Sequence, residues 1–238
     1  MSPSKSIAIL VTDYTGPFYD DGTTTGAFFS EVYHPWKVFS DAGYTLQLVS
    51  ESGKFGWDSK SIGEGAAPAE ELAVLKDEAH PFNKFTAEIK PVSAVSPSNF
   101  GTFFAAGGHG TIYDFDGHAP GLFKLASDIY QHGGLATAVC HGPMILAYVK
   151  DAEGKCIIEG KNVTGFPDAG ETIFHLDATL ERINKRRVTD PIKDVKGVWN
   201  EPPTPLEAYV VEDGRILTGA NPASATPLAE KIVSVLSG

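Results

Sequence analysis

The chain has 238 residues, of which 42% are hydrophobic and 21% are charged, a balance that excludes a mostly disordered protein. Its formal net charge of -11 disfavours anionic partners, so we expect it to bind neither nucleic acid nor a membrane. Two cysteines are too few for a secreted disulfide framework, and the N-terminal apolar run is shorter than a signal-peptide core. We therefore expect a cytoplasmic protein, with a nuclear location also open.

Short β-rich segments alternate with longer helical patterns, which indicates a mostly parallel sheet covered by helices on both faces. The first strand is predicted at 6–12, the first helix at 26–42 and the second strand at 45–50. The region around 51–90 is less regular and contains one predicted helix, at 68–79. It is compatible with a small lobe inserted into an otherwise single α/β domain.

The second half of the chain continues the alternation without an internal repeat or a clear linker, so we predict one domain over the whole chain. Its predicted elements are strand 103–106, helix 119–132, strand 135–139, a helix from Cys140 to about Lys150, strand 162–166, helix 169–185, a hairpin over 208–219 and a last helix at 223–236. The basic run at 185–187 is interpreted as a solvated helix end.

Two loops follow predicted strands and contain polar or reactive residues. They are Gly107-Gly108-His109-Gly110 and Cys140-His141-Gly142. Ligands of open α/β sheets bind beyond the carboxyl ends of the strands. If these two strands are neighbours in the sheet, both loops face one crevice.

Cys140 lies where a strand is predicted to turn sharply into a helix, the position of the nucleophile in an elbow motif. A helix N-terminus behind it is expected to lower the pKa of the thiol. The alternative is an inert core cysteine, because free cysteine is among the most buried residue types. These local features leave both interpretations open, whereas Cys156 has no comparable neighbours and is interpreted as structural.

The glycine-rich loop offers a backbone N–H at Gly108 that, with the N–H of His141, is suited to hold an oxyanion. The alternative is a tight turn that needs glycine for a positive φ, and the two roles are compatible. A histidine such as His109 is more often a turn or packing residue than a ligand. No metal-binding spacing such as HExxH is present, so we predict no catalytic metal.

Glu31 lies within an apolar helical segment, beside the stripe formed by Phe28 and Val32. A carboxyl group there is costly to bury unless it is protonated or paired, which makes Glu31 a candidate for a raised pKa and for proton transfer. The alternative, favoured on the helical pattern alone, is a slightly rotated helix that leaves Glu31 in water.

Several segments, in this order along nearly the whole chain, resemble the DJ-1/PfpI superfamily and, within it, the fungal Hsp31-like glutathione-independent glyoxalases (glyoxalase III). The segments are DGTTTGAFFSEVYHPW, SESGKFGWDSKS, AAGGHGTIYDF, ATAVCHGP, EGKNVTGFPDAGE and VVEDGRILTGANPASA. The resemblance implies a flavodoxin-like three-layer α/β sandwich, usually dimeric. It also implies conversion of methylglyoxal, or a similar small 2-oxoaldehyde such as glyoxal, and water to D-lactate without glutathione or another cofactor.

Carried over by motif, the resemblance makes Cys140 the nucleophile, His141 its partner and Glu171 the third member of a triad. Glu31 matches the family's buried acid beside the thiol, and Gly108 with His109 belongs to the loop that binds substrate or oxyanion. Either Glu31 or His141 then moves the substrate proton, and the sequence leaves that choice open.

Two other functions use the same residues. A cysteine amidase or peptidase would attack an acyl group with Cys140, although the distant His-x-Glu of glutamine amidotransferases is missing because no histidine follows His175. A stress-related holdase chaperone or a redox sensor would instead rely on surface contacts or on oxidation of Cys140. The tract 195–205 matches no motif and leaves substrate preference open.

Overall fold

The computed structural model describes residues 5–238. In this range the strands are, in chain order, β1 (Ser6–Leu10), β2 (Gly16–Pro17), β3 (Thr24–Thr25), β4 (Thr45–Ser50), β5 (Lys90–Pro91), β6 (Thr102–Ala105), β7 (Leu135–Val139), β8 (Asn162–Val163), β9 (Val198–Trp199), β10 (Val210–Asp213) and β11 (Ile216–Gly219). The α-helices are α1 (Phe29–Asp41), α2 (Ala69–Val74), α3 (Pro81–Ala87), α4 (Thr111–Asp114), α5 (Pro120–Gln131), α6 (Asp168–Ile173), α7 (Asp177–Arg182), α8 (Thr189–Asp194) and α9 (Ala225–Ser237). Short 3₁₀ helices lie at Ser59–Ser61, Val92–Ala94, Pro97–Asn99, Gly142–Tyr148 and Pro222–Ser224.

The main sheet joins seven of these strands in the order β10-β11-β7-β6-β1-β4-β5. All neighbouring pairs are parallel except β10 and β11, which form the predicted antiparallel hairpin. The central strands β6 and β7 are buried along their whole length, as expected for parallel strands that are covered on both faces. Helix α1 packs on α9 and β4, and α5 packs on β6 and β7. The predicted flavodoxin-like three-layer α/β fold is confirmed.

Strands β6 and β7 are direct neighbours in this sheet. Ala105 pairs with Ala138, so both strands end at the same edge. The loops that begin at Ala106 and at Cys140 therefore meet, as the sequence argument required. In residues 5–238 no helix has the length and hydropathy needed to cross a membrane.

The region around 51–90 is helical over shorter pieces than predicted. Helix α2 ends at Val74, and α3 was not predicted. Phe82 of α3 is fully buried against an aromatic cluster that includes Phe29, Tyr33 and Trp57. These contacts attach the region to α1, and the division of the chain into one domain with an inserted lobe stays a prediction.

Two predictions in the second half were wrong in detail. The helix at 169–185 is broken into α6 and α7 because His175 adopts a left-handed φ of 58°, which no α-helix continues through. The strand at 162–166 is reduced to β8, which pairs with β9 outside the main sheet. The residues after β8 do not continue this pairing: the N–H of Thr164 donates to the side chain of Thr218 in β11, with a distance of 2.9 Å to Oγ1.

The basic run at 185–187 is not a solvated helix end. Arg186 forms ion pairs with Asp116 and Asp194, and Arg187 pairs with Asp177. The acidic partners come from three separate parts of the chain, which a local pattern could not indicate. Arg186 thus links the segment after α4 to α8, and Arg187 is paired with α7.

Candidate active site

Cys140 occupies a sharp turn between β7 and the 3₁₀ helix Gly142–Tyr148. Its φ is 60°, a conformation that costs a residue other than glycine roughly 1–3 kcal/mol and is found mostly at functional sites. The turn is fixed on both sides, because the Cys140 N–H donates to Gly219 O at 2.9 Å and the Cys140 carbonyl accepts from Phe166 N at 2.7 Å. Cys140 is 3% exposed. It is therefore buried, as expected of a core cysteine, and it also lies in a sharp turn, as expected of an elbow nucleophile.

His141 reaches the thiol even though the two residues are consecutive. Its Nδ1 lies 3.3 Å from Cys140 Sγ, and its Nε2 lies 2.8 Å from Glu171 Oε1. Adjacent residues on a helix do not face each other. Here the left-handed Cys140 turns the backbone before the 3₁₀ helix begins, which brings the two side chains to the same side. Glu171 lies in the first turn of α6 and completes the Cys-His-Glu arrangement.

Glu171 is shared by a second histidine. His109 Nε2 lies 3.0 Å from Glu171 Oε2, and the rings of His109 and His141 are 4.1 Å apart between centroids. The helical and turn patterns favoured a packing role for His109, so the polar contact was not predicted from them. The only feature of the sequence that points to a role for His109 is its position in the glycine-rich loop.

The pKa values of His109, His141 and Glu171 are shifted in different directions. Burial alone would lower the pKa of His109, but the charge of Glu171 and its hydrogen bond outweigh burial and raise it. Burial and the neighbouring His109 charge lower the pKa of His141. Burial would raise the pKa of Glu171, yet His109 and both hydrogen bonds hold it well below its usual range. These shifts favour a carboxylate at Glu171, the protonated form of His109 and the neutral form of His141. In that arrangement His141 donates its Nε2–H to Glu171, and its Nδ1 faces the Cys140 thiol and can accept the thiol proton.

Glu31 is a second neighbour of the thiol and is 0% exposed, so the interpretation that left it in water was wrong. Its Oε2 accepts a hydrogen bond from Gly107 N at 2.9 Å, and the carboxyl group lies within reach of the Cys140 thiol. Burial raises the pKa of Glu31 to about 8, because one backbone donor and the thiol cannot replace the lost water. Glu31 therefore holds its proton at neutral pH.

The thiol itself is not activated by a helix N-terminus. Burial and the Glu31 carboxyl raise the pKa of Cys140, against the expected lowering. The segment behind Cys140 is a 3₁₀ helix, and the buried site removes the water that a thiolate needs. Cys140 becomes a nucleophile only if a neighbour takes its proton.

The glycine-rich loop packs directly against the elbow. A Cβ at Gly107 would lie 2.7 Å from His141 N, and one at Gly108 would lie 2.3 Å from Gly26 O, so neither position has room for a side chain. Gly108 also has a φ of 106°, which strongly favours glycine. The loop therefore brings the backbone of Gly107 against that of His141, and Gly108 is the next residue along the loop.

Two further polar residues near the site were not predicted. Tyr19 donates its hydroxyl to Asp58 Oδ2 at 2.8 Å, and Asp58 is fully buried. Burial and the Asp58 charge raise the pKa of Tyr19 far above its usual range. Nothing local in the sequence marks this pair, because its members lie in two separate loops.

One group of described residues has the composition of a metal site. His109, His141 and Glu171 each place one ligand atom within 4.8 Å of the others. In both histidines Nε2 already donates a hydrogen bond to the Glu171 carboxylate. The arrangement suits proton handling, and the expected absence of a catalytic metal stays a prediction.

Residues 24–235 match the family model described as the DJ-1/PfpI family. The chain belongs to the DJ-1/PfpI family. It is 39% identical over 237 residues to the glutathione-independent glyoxalase HSP31 of Saccharomyces cerevisiae, with 99% of each chain covered. It is 36% identical to the glutathione-independent glyoxalase hsp3101 of Schizosaccharomyces pombe, with 99% of this chain and 97% of the relative covered.

The fold of this DJ-1/PfpI protein is also close to that of an experimentally solved relative. The crystal structure of glyoxalase III from Candida albicans superposes with a TM-score of 0.92 at 36% identity, with 96% of both chains covered. The resemblance inferred from the sequence motifs is thereby confirmed. The elbow, the glycine-rich loop and the α6 segment therefore lie within a family framework that spans the chain.

Proposed function

We propose that this protein is a glutathione-independent glyoxalase, a lyase of the glyoxalase III (D-lactate dehydratase) type that converts methylglyoxal and water to D-lactate. The observation that carries the proposal is the pair of neighbours of Cys140: His141, whose ring is held by Glu171, and the buried carboxyl group of Glu31, whose pKa is raised to about 8. One neighbour can take the thiol proton while the other supplies a proton to the substrate.

The first step is addition of the thiol to the aldehyde. Sγ of Cys140 bonds to the aldehyde carbon, and the thiol proton passes to Nδ1 of His141. The aldehyde oxygen becomes an oxyanion, which the N–H groups of Gly108 and His141 stabilise. Glu31 then protonates this oxygen, which gives a neutral hemithioacetal and leaves Glu31 as a carboxylate.

The second step moves one proton between the two carbons of the substrate. Glu31 is better placed for it than His141, since both nitrogens of His141 are occupied while Glu31 Oε1 has no hydrogen-bond partner of normal geometry in residues 5–238. Ionised Glu31 removes the proton from the former aldehyde carbon, and protonated His141 gives its proton to the ketone oxygen. The resulting enediol is the intermediate.

The third step produces lactate. Glu31 returns the proton to the former ketone carbon, and His141 accepts the hydroxyl proton of the other carbon, so that a thioester of Cys140 forms. Water attacks the thioester, the carbon–sulfur bond breaks, and one proton from water restores the thiol. The proton that His141 accepted passes to Glu31, which returns both groups to their starting states. The water oxygen enters the carboxyl group, and the atoms sum to methylglyoxal plus water giving lactate and one proton.

The amidase or peptidase alternative needs only the nucleophile, its histidine and the oxyanion site. A buried, protonated carboxyl beside the thiol adds nothing to acyl hydrolysis, whereas a carbon-to-carbon proton transfer requires such a carrier. Glu31 therefore favours the glyoxalase. A holdase or redox function has no comparable support among the described contacts.

The deciding experiment incubates the purified protein with methylglyoxal in the absence of glutathione and follows loss of substrate and formation of D-lactate. We expect turnover by the wild type and a fall of at least about 10³-fold in Cys140→Ala, because the covalent route is lost. Cys156→Ala is the matched control, since the Cys156 thiol donates to the backbone carbonyls of Leu146 and Ala147, at 3.4 and 3.5 Å. An inactive wild type, or an active Cys140→Ala, would disprove the proposal.

The proposed substrate is a small 2-oxoaldehyde. We also propose that the protein is a cytoplasmic homodimer, as the resemblance to the family implies. Light scattering of the purified protein measures the assembly directly, and a mass equal to one chain would contradict it.

A further inference from the structure

A cavity of about 420 Å³ opens beside the candidate active site, and its wall combines parts of three site elements. His109 contributes from the glycine-rich loop. Phe28 donates its N–H to Gly107 O at 3.1 Å and so lies beside the same loop. Phe174 and Leu176 follow α6, the helix that carries Glu171.

The cavity is larger than methylglyoxal needs. Sites of about 300–1,000 Å³ typically hold drug-sized ligands. Methylglyoxal carries only a methyl group beyond its two carbonyls, so it would leave most of the space unfilled. The volume indicates a substrate with a larger substituent.

The wall is also chemically selective. Its apolar part is formed by Phe28, Phe174, Leu176 and Ala66. Its polar residues are already paired within the described structure: Tyr19 with Asp58, Lys60 with Asp21, and His109 with Glu171. The part of the wall without polar pairing is therefore apolar and suits an apolar substituent.

An aromatic path connects the cavity to the triad. The Phe174 ring lies parallel to that of Phe166 at 6.1 Å between centroids, and Phe166 stacks on His141 at 4.8 Å. Phe174 is 52% exposed, so part of its ring is open to a ligand in the cavity. Flat aromatic rings pack well against such a surface.

We propose that this cavity is a specificity pocket for the substituent of aromatic or bulky apolar 2-oxoaldehydes, which the enzyme converts to the corresponding 2-hydroxy acids. The inference rests on the proposed glyoxalase function and names its preferred substrate class. The substituent packs on Phe28, Phe174 and Leu176, while the aldehyde passes His109 to reach Cys140.

The test compares phenylglyoxal with methylglyoxal, both without glutathione, by kcat/KM. In the wild type we expect a value about tenfold higher for phenylglyoxal, since extra apolar contact in a fitted pocket is worth a factor of that order. Phe174→Ser should lower the ratio of the two values about tenfold. Ala66→Phe, which fills the exposed side of the cavity, should lower it further.

The matched control is Ile173→Ser. Ile173 is 48% exposed, directly precedes Phe174 and does not line the cavity, so its replacement should leave the ratio unchanged. Equal losses for both substrates in Phe174→Ser, or an unchanged ratio in Ala66→Phe, would overturn the pocket while leaving the glyoxalase intact. If the wild type converts methylglyoxal but not phenylglyoxal, the pocket alone is disproved; conversion of neither would disprove the proposed function as well.

Discussion

Two regions each contribute a buried glutamate to the surroundings of Cys140, α1 with Glu31 and α6 with Glu171, and the pKa values of the two carboxyl groups are shifted in opposite directions. Both carboxyl groups are nearly inaccessible, at 0% and 2% exposure. Burial raises the pKa of Glu31 to about 8, whereas the two histidines outweigh burial and lower that of Glu171. Burial therefore does not decide the charge of a carboxyl group; the partners that are buried with it do.

The opposite pKa shifts suit the two glutamates to different roles in the reaction. The Glu171 side holds a fixed negative charge that orients His141, and the Glu31 side holds a mobile proton next to the thiol. A site with two groups of the first kind could not shuttle a proton between carbons, and one with two of the second kind would leave His141 unoriented. The following changes test this contrast.

Glu31→Gln should produce the largest effect among them. It preserves the shape of the side chain but removes the transferable proton, so kcat for methylglyoxal should fall about 10²- to 10⁴-fold. Initial rates of substrate loss measure it, with circular dichroism to verify the fold. Near-normal turnover would remove Glu31 from the mechanism and make His141 the proton carrier.

The pH dependence of stability should separate the two carboxyl groups. Between about pH 4.5, the ordinary pKa, and about pH 8, the unfolded chain has lost the Glu31 proton while the folded chain keeps it. This contribution is fully present below pH 4.5 and falls by about 1.4 kcal/mol per pH unit as the pH rises toward 8. Glu171, with its lowered pKa, acts in the opposite sense and loses its contribution as the pH falls below the ordinary value.

Urea unfolding of the wild type and of Glu31→Gln at pH 5, 6, 7 and 8 isolates the Glu31 term, since all other groups contribute equally to both proteins. The advantage of the wild type over the variant should shrink steadily across this series. A constant difference would mean that Glu31 is ionised in the folded protein.

Glu171→Gln should reduce kcat by roughly 10- to 100-fold, less than Glu31→Gln. The substitution removes a charged acceptor, and hydrogen bonds to charged groups are worth about 1.5–3 kcal/mol. Without that charge the pKa of His109 should also fall, which NMR titration of the histidines detects. An unchanged His109 titration would show that the ion pair does not form.

Arg187→Met should have the smallest effect. Arg187 pairs with Asp177 and donates to Asp168 O at 3.3 Å, so it fixes the start of α6, but it is partly exposed. We expect a loss of up to about 1 kcal/mol in the free energy of unfolding and a fall of a few-fold in kcat. Arg182→Met, whose partner is the exposed Asp20, is the control and should change stability only. Equal kcat values in both variants would separate Arg187 from the site.

Much of the architecture was predictable because its causes are local. The buried runs of β6 and β7, the helix over Pro120–Gln131 and the Asp-Gly hairpin turn follow from patterns within a few residues of one another. The break between α6 and α7 was missed because Phe174 and His175 fit the helical spacing, and only φ at His175 reveals the turn.

Only those parts of the candidate site that depend on adjacent residues were predictable from local patterns. Placement of Cys140 at the end of a strand, next to His141, could be inferred from adjacent residues. That Glu31 is buried rather than solvated, and that His109 shares Glu171, depends on residues 76 and 62 positions apart along the chain. No local pattern records contacts over such separations.

The sequence by itself determined the order of strands and helices, the elbow and the set of residues able to do the chemistry, because short-range sterics and hydrophobic periodicity act between neighbours in the chain. Only the tertiary structure decided the protonation state of each one. The packing around Glu31 of α1 and Glu171 of α6 sets how much water each carboxyl group loses and which charges replace that water, and these two factors determine its pKa.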